Sequence, residues 1–466
     1  MSRPSLWQIL REPVRADTRA NLARSRARVP EALRTPRQML GRGGNGCGAT
    51  IGAMPRCDFA CKGCYLGEGA NTVPPEPVEA IKAQMRALRP SLGHAGNLQL
   101  TDGEVTLRPV EEVIELLRYA RSLDLIPMLM THGDSFRRRP GLLELLMLEG
   151  GLTEVSIHVD TTQRGRQGER WRKATTEEAL NPLRDEFAEM IREAKRATGL
   201  PLRVATTMTV TADNLAGVPD VIRWLVRNTD AVRMISFQPI AQVGRTLPGL
   251  GGGVSVEALW EKVAQGFVRY GEEGSARILD GQVWVGDPRC TRYLPALVAR
   301  QPGQSPTWRP LRLEGDAIDR NAYDGFLDRF GGVSFRLDTP REALARALAL
   351  FVRAPGWVLR SLPGWLAAWA RRLDAAHPWR FAGRILAGTA QVHGITVISH
   401  HFMSEAQVGT QEWRERTDLC VFNVPINGEL VPMCTVNATP VRAEYYAQLE
   451  VRGKRKAESG GRKAVV

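Results

Sequence analysis

The stretch ATIGAMPRCDFACKGCYLGEG, residues 49–69, decides the fold of this chain of 466 residues. It opens on a β-like run and passes directly into a tight loop that carries three cysteines in a C-x3-C-x2-C spacing: Cys57, Cys61 and Cys64. Three thiolates on one loop can hold three irons of a [4Fe–4S] cluster, which ordinarily takes four cysteines. The missing fourth ligand would leave one iron open to bind a substrate atom.

Two other centres fit this spacing less well. A structural zinc site would need a fourth cysteine or histidine at regular spacing, and the nearest, Cys47, lies ten residues upstream of Cys57. A redox C-x2-C pair would not need Cys57. Both alternatives stay open on the spacing alone.

Outward from this loop, short β-like runs alternate with longer helical patterns. The runs are ATIGAM (49–54), NLQLT (97–101), IPMLMT (126–131), EVSIHV (154–159), LRVATTMTV (202–210) and VRMISFQPI (232–240). The segments between them have apolar residues at helical spacing. Strands that alternate with helices indicate an α/β fold with a parallel sheet and right-handed crossovers. Six such units predict a partial (β/α)6 barrel, with functional residues at the C-terminal ends of its strands.

Four motifs follow four of these runs in order. They are CDFACKGCY (57–65), TDGEVTLRP (101–109), THG (131–133) and SIHVD (156–160). Together they resemble the radical S-adenosylmethionine (SAM) superfamily over about residues 45–245. The second motif looks like the family's GGE motif, with Asp102 in place of the first glycine. The aromatic residue that usually precedes the third cysteine is Gly63 here, and Tyr65 follows that cysteine instead.

The resemblance implies an enzyme that binds SAM at the open iron of a [4Fe–4S] cluster held by the three cysteines. An electron from a low-potential donor, such as a flavodoxin or ferredoxin, would cleave SAM to a 5′-deoxyadenosyl radical that abstracts hydrogen from a substrate. The motifs imply SAM contacts from Tyr65, Asp102, Gly103, Glu104, Ser156, His158 and Asp160. The alternative for Glu104 is a solvated loop carboxylate, and for the last three residues it is barrel packing.

Four cysteines lie outside the loop: Cys47, Cys290, Cys420 and Cys434. Many similar radical SAM enzymes carry a second [4Fe–4S] cluster in a C-terminal extension, and NGELVPMC (427–434) resembles the hairpin that ends in one of its ligands. The resemblance therefore implies Cys290, Cys420 and Cys434 as ligands of a second cluster, with Cys47 as a further candidate. The alternative is that these thiols are buried and inert.

A segment rich in tryptophan and arginine spans residues 341–390. Between residues 353 and 384 it has six arginines and a single acid, Asp374, alongside Trp357, Trp365, Trp369 and Trp379. Tryptophan and leucine on one face with arginine at the flanks predict a helix that lies in a membrane interface. Three prolines, Pro355, Pro363 and Pro378, are expected to divide it into short helices. The alternative is an amphipathic helix packed on the barrel with a solvated arginine face.

The run from Ser399 to Asn437 is similar to the C-terminal part of tetraether lipid synthases. Those are radical SAM enzymes that join unactivated lipid chain ends by a carbon–carbon bond. The matching elements are HFM (401–403), Cys420, VPMC (431–434), Asn437 and Cys290 after Asp-Pro. This chain lacks their cysteine-rich N-terminal module and has fewer cluster cysteines.

We therefore expect an enzyme that abstracts hydrogen from a lipid or other hydrophobic chain, for carbon–carbon coupling or a related modification. Whether it is an oxidoreductase, a transferase or a lyase stays open. The second hypothesis is a maturase of a peptide or protein, and the third is a nucleic-acid-binding protein. The barrel motifs, and a sequence without zinc-finger or RNP signatures, argue against the third, so no nucleic-acid partner is expected.

Charge and hydropathy suggest where in the cell the protein acts. The net charge of +13 fits an anionic partner, here a lipid or anionic membrane surface. The sequence shows neither a signal-peptide pattern nor an apolar run that could span a bilayer. We therefore expect a cytoplasmic protein that binds peripherally to the inner face of the membrane.

The predicted organisation has six parts. In chain order these are a basic N-terminal extension (1–45), the radical SAM partial barrel (46–245), a connecting helical region (246–340), the Trp/Arg segment (341–390), an α+β C-terminal region that resembles an auxiliary-cluster extension (391–450) and a disordered basic tail (451–466).

Overall fold

The computed structural model describes residues 16–39, 46–67, 69–93, 95–268, 275–330, 340–374 and 377–461. In chain order its strands are β1 (Cys47–Ala49), β2 (Asn97–Leu100), β3 (Ile126–Thr131), β4 (Glu154–His158), β5 (Arg203–Val210), β6 (Met234–Pro239), β7 (Val283–Trp284), β8 (Thr291–Arg300), β9 (Thr307–Pro310), β10 (Gln391–His400), β11 (Phe422–Ile426) and β12 (Glu429–Pro432). The α-helices are α1 (Ala16–Ala27), α2 (Val78–Leu92), α3 (Val110–Ser122), α4 (Asp134–Arg138), α5 (Leu142–Leu148), α6 (Glu169–Arg172), α7 (Asn181–Thr198), α8 (Val218–Arg227), α9 (Val256–Phe267), α10 (Ser275–Asp280), α11 (Ala317–Asp319), α12 (Gly325–Phe330), α13 (Pro340–Arg353), α14 (Pro355–Leu373), α15 (Pro378–Leu386), α16 (Gln411–Asp418), α17 (Met433–Ala438) and α18 (Val441–Gly461).

The chain divides into two compact units. The barrel unit comprises residues 46–214, 237–255 and 401–466. The second unit comprises residues 1–45, 215–236 and 256–400, as far as they are described. The six parts predicted from the sequence remain predictions as domains.

The sheet of the barrel unit is built from parallel strands. Strands β1 to β5 pair in chain order, each parallel to the next. Helices α2 and α3 and the later helix α7 cross between them. The predicted α/β partial barrel is therefore confirmed, and the carboxyl ends of β1 to β4, where the four motifs lie, are at one edge of the sheet.

Apolar periodicity explains these elements. Helix α3 buries one face, formed by Val113, Leu116, Leu117 and Ala120, at spacings of three and four residues. In β5 every residue after Arg203 is buried. A strand buried on both faces is typical of a parallel sheet covered by helices.

The C-terminal region adds a hairpin to this sheet. Strand β11 pairs parallel with β1, with Cys47 opposite Phe422, and β12 pairs antiparallel with β11. Helix α18 then packs Tyr445, Tyr446 and Leu449 into a core that also contains Ile51. The C-terminal region thereby completes the barrel unit.

The prediction of a disordered tail from residue 451 is wrong as far as Gly461, where α18 ends. The first turns of α18 are held by buried aromatic residues, and an established helix propagates at little further cost. Lys454 also pairs with Glu450, one turn earlier, at 2.7 Å. Residues 462–466 lie outside the described residues.

The second unit contains antiparallel strands. Strands β7, β8 and β9 lie in the region predicted to be helical, whereas β10 lies at the start of the region predicted to be α+β. Strand β8 pairs with β10 over ten residues, Thr291–Arg300 against Gln391–His400, and β7 and β9 pair with β8. The prediction that residues 246–340 form a helical connection is therefore wrong in part, because β7, β8 and β9 lie in this region. Pairing between strands so distant in the chain leaves little local signal, because strand propensity depends on the partner strand.

Three helices form the Trp/Arg segment. Pro355 and Pro378 are the first residues of α14 and α15. A proline is tolerated there because the amide at this position has no acceptor within the helix. Pro363 lies inside α14, so the prediction that it divides the segment is wrong; its ring is exposed there. Trp369 and Leu373 pack within the second unit against Ala299 and Ala390.

Among the described residues, none of the helices has the length and apolar character needed to cross a membrane.

Candidate functional site

A cavity of about 220 Å³ lies in the barrel unit. It is lined by the three-cysteine loop, by the ends of strands β2 to β6 and by C-terminal residues. Of the site residues predicted from sequence, the cavity brings together Cys57, Cys61, Cys64, Tyr65, Gly103, Glu104, Ser156 and His158. Asp102 and Asp160 are buried beside it and do not line it.

Backbone hydrogen bonds hold the cysteine loop in place. The amide of Lys62 donates to the carbonyl of Thr162, and the amide of Leu247 donates to the carbonyl of Lys62, both at 2.9 Å. The amide of Arg245 donates to the carbonyl of Cys64 at 2.8 Å. Segments that follow β4 and β6 therefore both hold the backbone of the cysteine loop.

The electrostatics of the thiols fit a positively charged centre. Burial raises the pKa of Cys57 to about 12 and raises the pKa of Cys61 as well. The thiolate forms of Cys57 and Cys61 therefore need a nearby positive charge, as iron provides. The Arg245 guanidinium already lies 3.5 Å from the Sγ of Cys64. Three sulfur donors on one loop, facing one cavity, suit a [4Fe–4S] cluster with an open iron.

A different metal site would use Cys57, Asp58 and His132, whose ligand atoms lie within 4.8 Å of one another. The Asp58 carboxylate is already engaged, however, by the His132 Nε2 at 2.7 Å and by Arg138 at 2.6 Å. These two partners hold the pKa of Asp58 well below its usual range. Because Arg138 already neutralises Asp58, this carboxylate serves better as a loop anchor than as a metal ligand.

Stacking reinforces this anchor. The ring of Phe59 lies parallel to the His132 imidazole, with ring centroids 3.8 Å apart. His132 comes from the THG motif after β3, so the stack ties that motif to the cysteine loop. The two motifs that the sequence placed after different strands are in direct contact.

Glu104 is buried and its carboxylate accepts several hydrogen bonds. One oxygen accepts from the Thr131 hydroxyl at 2.7 Å and from the Thr106 hydroxyl at 2.5 Å. The other accepts from the backbone amide of His132 at 2.8 Å. Glu104 is therefore not the solvated loop carboxylate of the alternative reading. It ties the loop after β2 to the end of β3 and also lines the cavity.

Gly103 occupies a position that only glycine fits. Its φ is +87°, in the left-handed region, and a Cβ there would lie 2.0 Å from the carbonyl oxygen of Met54. The loop after β2 therefore lies directly against the segment that leads to the cysteines.

The residues after β4 form a linked set. The Ser156 hydroxyl lies 2.9 Å from that of Thr207. The His158 Nε2 is hydrogen bonded to the buried Asp160 carboxylate. Burial alone would raise the pKa of Asp160, but His158 and the Thr162 hydroxyl lower it to about 2. Asp160 therefore carries a charge that orients the His158 ring, while Ser156 and His158 face the cavity.

Several cavity residues were not predicted from sequence. They are Gln99, Thr101, Thr209, Ile240, Phe402, Phe422, Met433 and Asn437, among others. Thr101 lies in the motif after β2. Phe402, Met433 and Asn437 lie in the C-terminal run, which was interpreted for a second cluster and for lipid chemistry and not for the SAM cavity. Ile240 and Phe422 carry no local signal, since only the pairing of their strands brings them to the cavity.

The remaining cysteines have other surroundings. Cys434 is buried in an apolar cluster with Met403 and Trp413, and its Sγ accepts from the Met403 amide at 3.4 Å. The Cys420 thiol donates to the carbonyl of Phe422 at 3.2 Å. Burial raises the pKa of Cys47, in β1, to about 11, and Cys290 belongs to the second unit. Among the described residues, the one compact metal-ligand group includes none of these four.

Comparison with known proteins identifies the class. Residues 51–225 match the protein-family model described as Radical SAM superfamily. This part of the chain is a radical SAM domain. The family implies a [4Fe–4S] cluster and SAM, in agreement with the prediction from the cysteine loop.

Individual relatives share part of the chain. A 7,8-dihydro-6-hydroxymethylpterin dimethyltransferase of Methanocaldococcus jannaschii is 27% identical over 199 residues, which are 42% of this chain and 37% of the relative. The chain therefore matches little more than a third of that relative's length. Lipid synthesis is not part of that relative's name, so the resemblance to tetraether lipid synthases stays a proposal.

Two solved structures match part of the chain at low similarity. Streptococcus suis SuiB is 14% identical, with a TM-score of 0.33, over 48% of this chain and 46% of that chain. Native anSMEcpe with bound AdoMet is 13% identical, with a TM-score of 0.34, over 48% of this chain and 60% of that chain. At this level of similarity, neither structure informs the choice of substrate.

Proposed function

We propose that the protein cleaves SAM reductively in the barrel cavity and uses the resulting radical to abstract hydrogen from a bound substrate. The observation that carries the proposal is the shared cavity: the three loop thiols face the same space as Gly103, Glu104, Ser156 and His158. When bound, a [4Fe–4S] cluster supplies the electron that breaks the S–C5′ bond of SAM. A flavodoxin or ferredoxin would reduce the protein.

In this proposal Cys57, Cys61 and Cys64 hold the cluster and the other residues prepare the cavity. Gly103 allows a bound SAM to approach the backbone after β2. The charged Asp160 fixes the His158 ring, which presents a polar edge to the ligand. The apolar side chains of Phe402, Phe422 and Met433 limit the access of water to the opposite wall. A radical is protected from side reactions where water is excluded.

Cluster assembly tests this assignment. The protein would be purified and reconstituted without oxygen, then assayed for iron and sulfide and by electron paramagnetic resonance (EPR) after reduction. Cys57→Ala should remove most of the iron of the SAM-binding cluster, whereas Cys47→Ala serves as a matched control outside the loop. Full iron content in Cys57→Ala, with an unchanged EPR signal, would refute the assignment.

The same measurement tests a second cluster. We propose Cys420 and Cys434, both in the barrel unit, as ligands of this cluster, supported by the sequence resemblance of the C-terminal region. Two clusters predict about eight irons per chain, and a single cluster predicts about four. Cys434 in its apolar cluster also fits an inert thiol, so a value near four would reject the second cluster.

For the substrate we propose a lipid or another hydrophobic chain. The support comes from the second unit, where α13 to α15 expose apolar side chains beside arginines. Exposed apolar residues include Phe351, Val352, Leu359, Leu366 and Trp379, and exposed arginines include Arg353, Arg360, Arg371, Arg380 and Arg384. This pattern suits an anionic lipid surface and a peripheral position on the inner face of the membrane.

Comparative lipid analysis tests the substrate. Lipids from a deletion strain and its complemented parent would be compared by mass spectrometry. The proposal predicts that a modified or coupled chain disappears in the deletion strain while its precursor accumulates. Identical lipid profiles would reject the lipid substrate and leave the radical SAM assignment untouched.

A second candidate function is methylation of a heterocycle. It is favoured by the 27% identity with the pterin dimethyltransferase over 199 residues. Incubation of the reconstituted enzyme with SAM, a reductant and 7,8-dihydro-6-hydroxymethylpterin tests it directly. A pterin product that is heavier by one or two methyl groups would favour this candidate over the lipid substrate.

A further inference from the structure

The residue before Gly103 has an unusual backbone. Asp102 has a φ of +103°, a conformation that non-glycine residues rarely adopt. It stands where the family motif has a glycine. Such a conformation persists only when the surroundings hold it, so the contacts of Asp102 show what maintains this loop.

Three donors hold the Asp102 carboxylate, which is 1% exposed. The backbone amide of Gly52 donates to it at 2.6 Å and the Tyr446 hydroxyl at 3.0 Å. The guanidinium of Arg442 forms an ion pair with it. Two of the three donors thus come from α18, at the C-terminal end of the barrel unit.

Arg442 also contacts two cavity residues. Its guanidinium donates to the side-chain oxygen of Asn437 at 2.8 Å and lies 4.9 Å from the ring centroid of Tyr65. Asn437 and Tyr65 both line the cavity, and so does Gly103, the neighbour of Asp102. Arg442 itself is 4% exposed and lies behind this wall.

The charges of this arrangement depend on each other. Arg442 and Asp102 are both buried, so removing one side chain would leave the other charge without compensation. Because Arg442 donates to the oxygen of Asn437, the amide nitrogen is the end that stays available to a ligand. The ion pair between Arg442 and Asp102 therefore links the docking of α18 to the orientation of the Asn437 side chain in the cavity.

We infer that Arg442 is a positioning residue for SAM binding. It holds Asp102 in its left-handed conformation and orients Asn437 and Tyr65, so that the loop at Gly103 and the C-terminal wall keep the shape that SAM requires. This inference rests on the proposed function, because it assumes that SAM occupies this cavity. The SAM site then extends to a residue that lies 340 positions from Asp102.

The test compares SAM affinity with folding stability. Arg442→Met, Arg442→Lys, Asp102→Gly and the double variant Asp102→Gly/Arg442→Met would be reconstituted, and the dissociation constant of SAM measured by equilibrium dialysis. The melting temperature of each protein would be measured without SAM. EPR titration of the reduced cluster with SAM gives a second readout that does not depend on turnover.

We expect Arg442→Met to weaken SAM binding by about tenfold or more, as the loss of hydrogen bonds to a charged group would. Arg442→Lys keeps the charge but loses the forked contact to both Asp102 and Asn437. Compared with Arg442→Met, it should therefore recover more of the melting temperature than of the affinity for SAM. The double variant removes both buried charges, and its loss should be smaller than the product of the two single losses.

Arg452→Met is the matched control on the same helix. Arg452 pairs with Glu76 at 3.0 Å and is half exposed, so its loss should leave SAM affinity unchanged. If Arg442→Met fails to fold, Tyr446→Phe removes a single donor to Asp102 and should weaken SAM binding by a few fold at an unchanged melting temperature. Unaltered SAM affinity in the folded variants would overturn the inference. Failure of the wild type to bind SAM would instead refute the proposed function.

Discussion

Ile240 occupies the space that a side chain at position 63 would need. A Cβ placed on Gly63 would lie 2.2 Å from the Cδ1 of Ile240, which follows strand β6. The position that usually carries an aromatic side chain before the third cysteine is therefore filled from another strand. Gly63 and Ile240 therefore pack against each other in the wall of the cavity.

Gly63→Ala should therefore strain this wall. We expect a loss of about 1–3 kcal/mol in the free energy of unfolding, as is usual for overpacking. Urea unfolding of the cluster-free protein measures it. In Gly63→Ala/Ile240→Ala the new methyl group finds room, so the combined loss should be smaller than the sum of the two single losses. Strictly additive losses would show that the two positions are independent.

Asp160 should stabilise the protein in a pH-dependent way. Its pKa in the folded protein is about 2, below the ordinary value near 3.9 of an unfolded chain. Its contribution, on the order of 2 kcal/mol, is thus present above about pH 4 and is lost as the pH falls towards 2. Urea unfolding of Asp160→Asn and wild type at several pH values should give a difference that shrinks below pH 4. A difference independent of pH would contradict this assignment.

Glu104→Gln should loosen the loop after β2. An amide group would turn donor hydrogens towards the His132 amide or the Thr131 hydroxyl, which now donate to the carboxylate. We expect a loss of about 2 kcal/mol in the free energy of unfolding and weaker SAM binding. Glu111→Gln, on the exposed face of α3, is the control and should change neither quantity. Equal free energies of unfolding for the two variants would show that the hydrogen bonds of Glu104 contribute little to stability.

The exposed apolar face of α14 should bind anionic vesicles. Leu359 and Leu366 are 63% and 59% exposed, and their insertion into a lipid interface would add about 1.5 kcal/mol each at most. Leu359→Ala/Leu366→Ala should therefore reduce co-sedimentation with phosphatidylglycerol vesicles by about tenfold or more. Leu148→Ala, an equally exposed leucine of the barrel unit, is the control. A wild-type protein that stays in the supernatant at low salt would reject the membrane surface.

Sequence reasoning found the parts of the site that are encoded locally. The C-x3-C-x2-C spacing and the motifs after β2, β3 and β4 each lie on a few consecutive residues. The period of apolar residues gave the strands and crossover helices of the barrel. These features depend on neighbouring residues, so a single sequence carries them.

The features that were not predicted depend on distant pairs. Arg442 meets Asp102 because α18 packs on the core beside β1. Strand β8 pairs over its whole length with β10, which lies about 100 residues later in the chain. The motif comparison did identify Asp102 as unusual, but it assigned this residue to SAM contact. In the structure the Asp102 carboxylate forms an ion pair with Arg442, a residue that none of the sequence motifs indicates.

Formation of 5′-deoxyadenosine is the decisive test of whether this protein cleaves SAM. The reconstituted wild-type protein and a Cys57→Ala/Cys61→Ala/Cys64→Ala variant would be incubated with SAM and dithionite without oxygen, and the products quantified by liquid chromatography and mass spectrometry. We expect 5′-deoxyadenosine and methionine in equal amounts from the wild type and none from the variant. Equal product from the variant, or no product from a wild type with full iron content, would refute SAM cleavage at the three-cysteine loop.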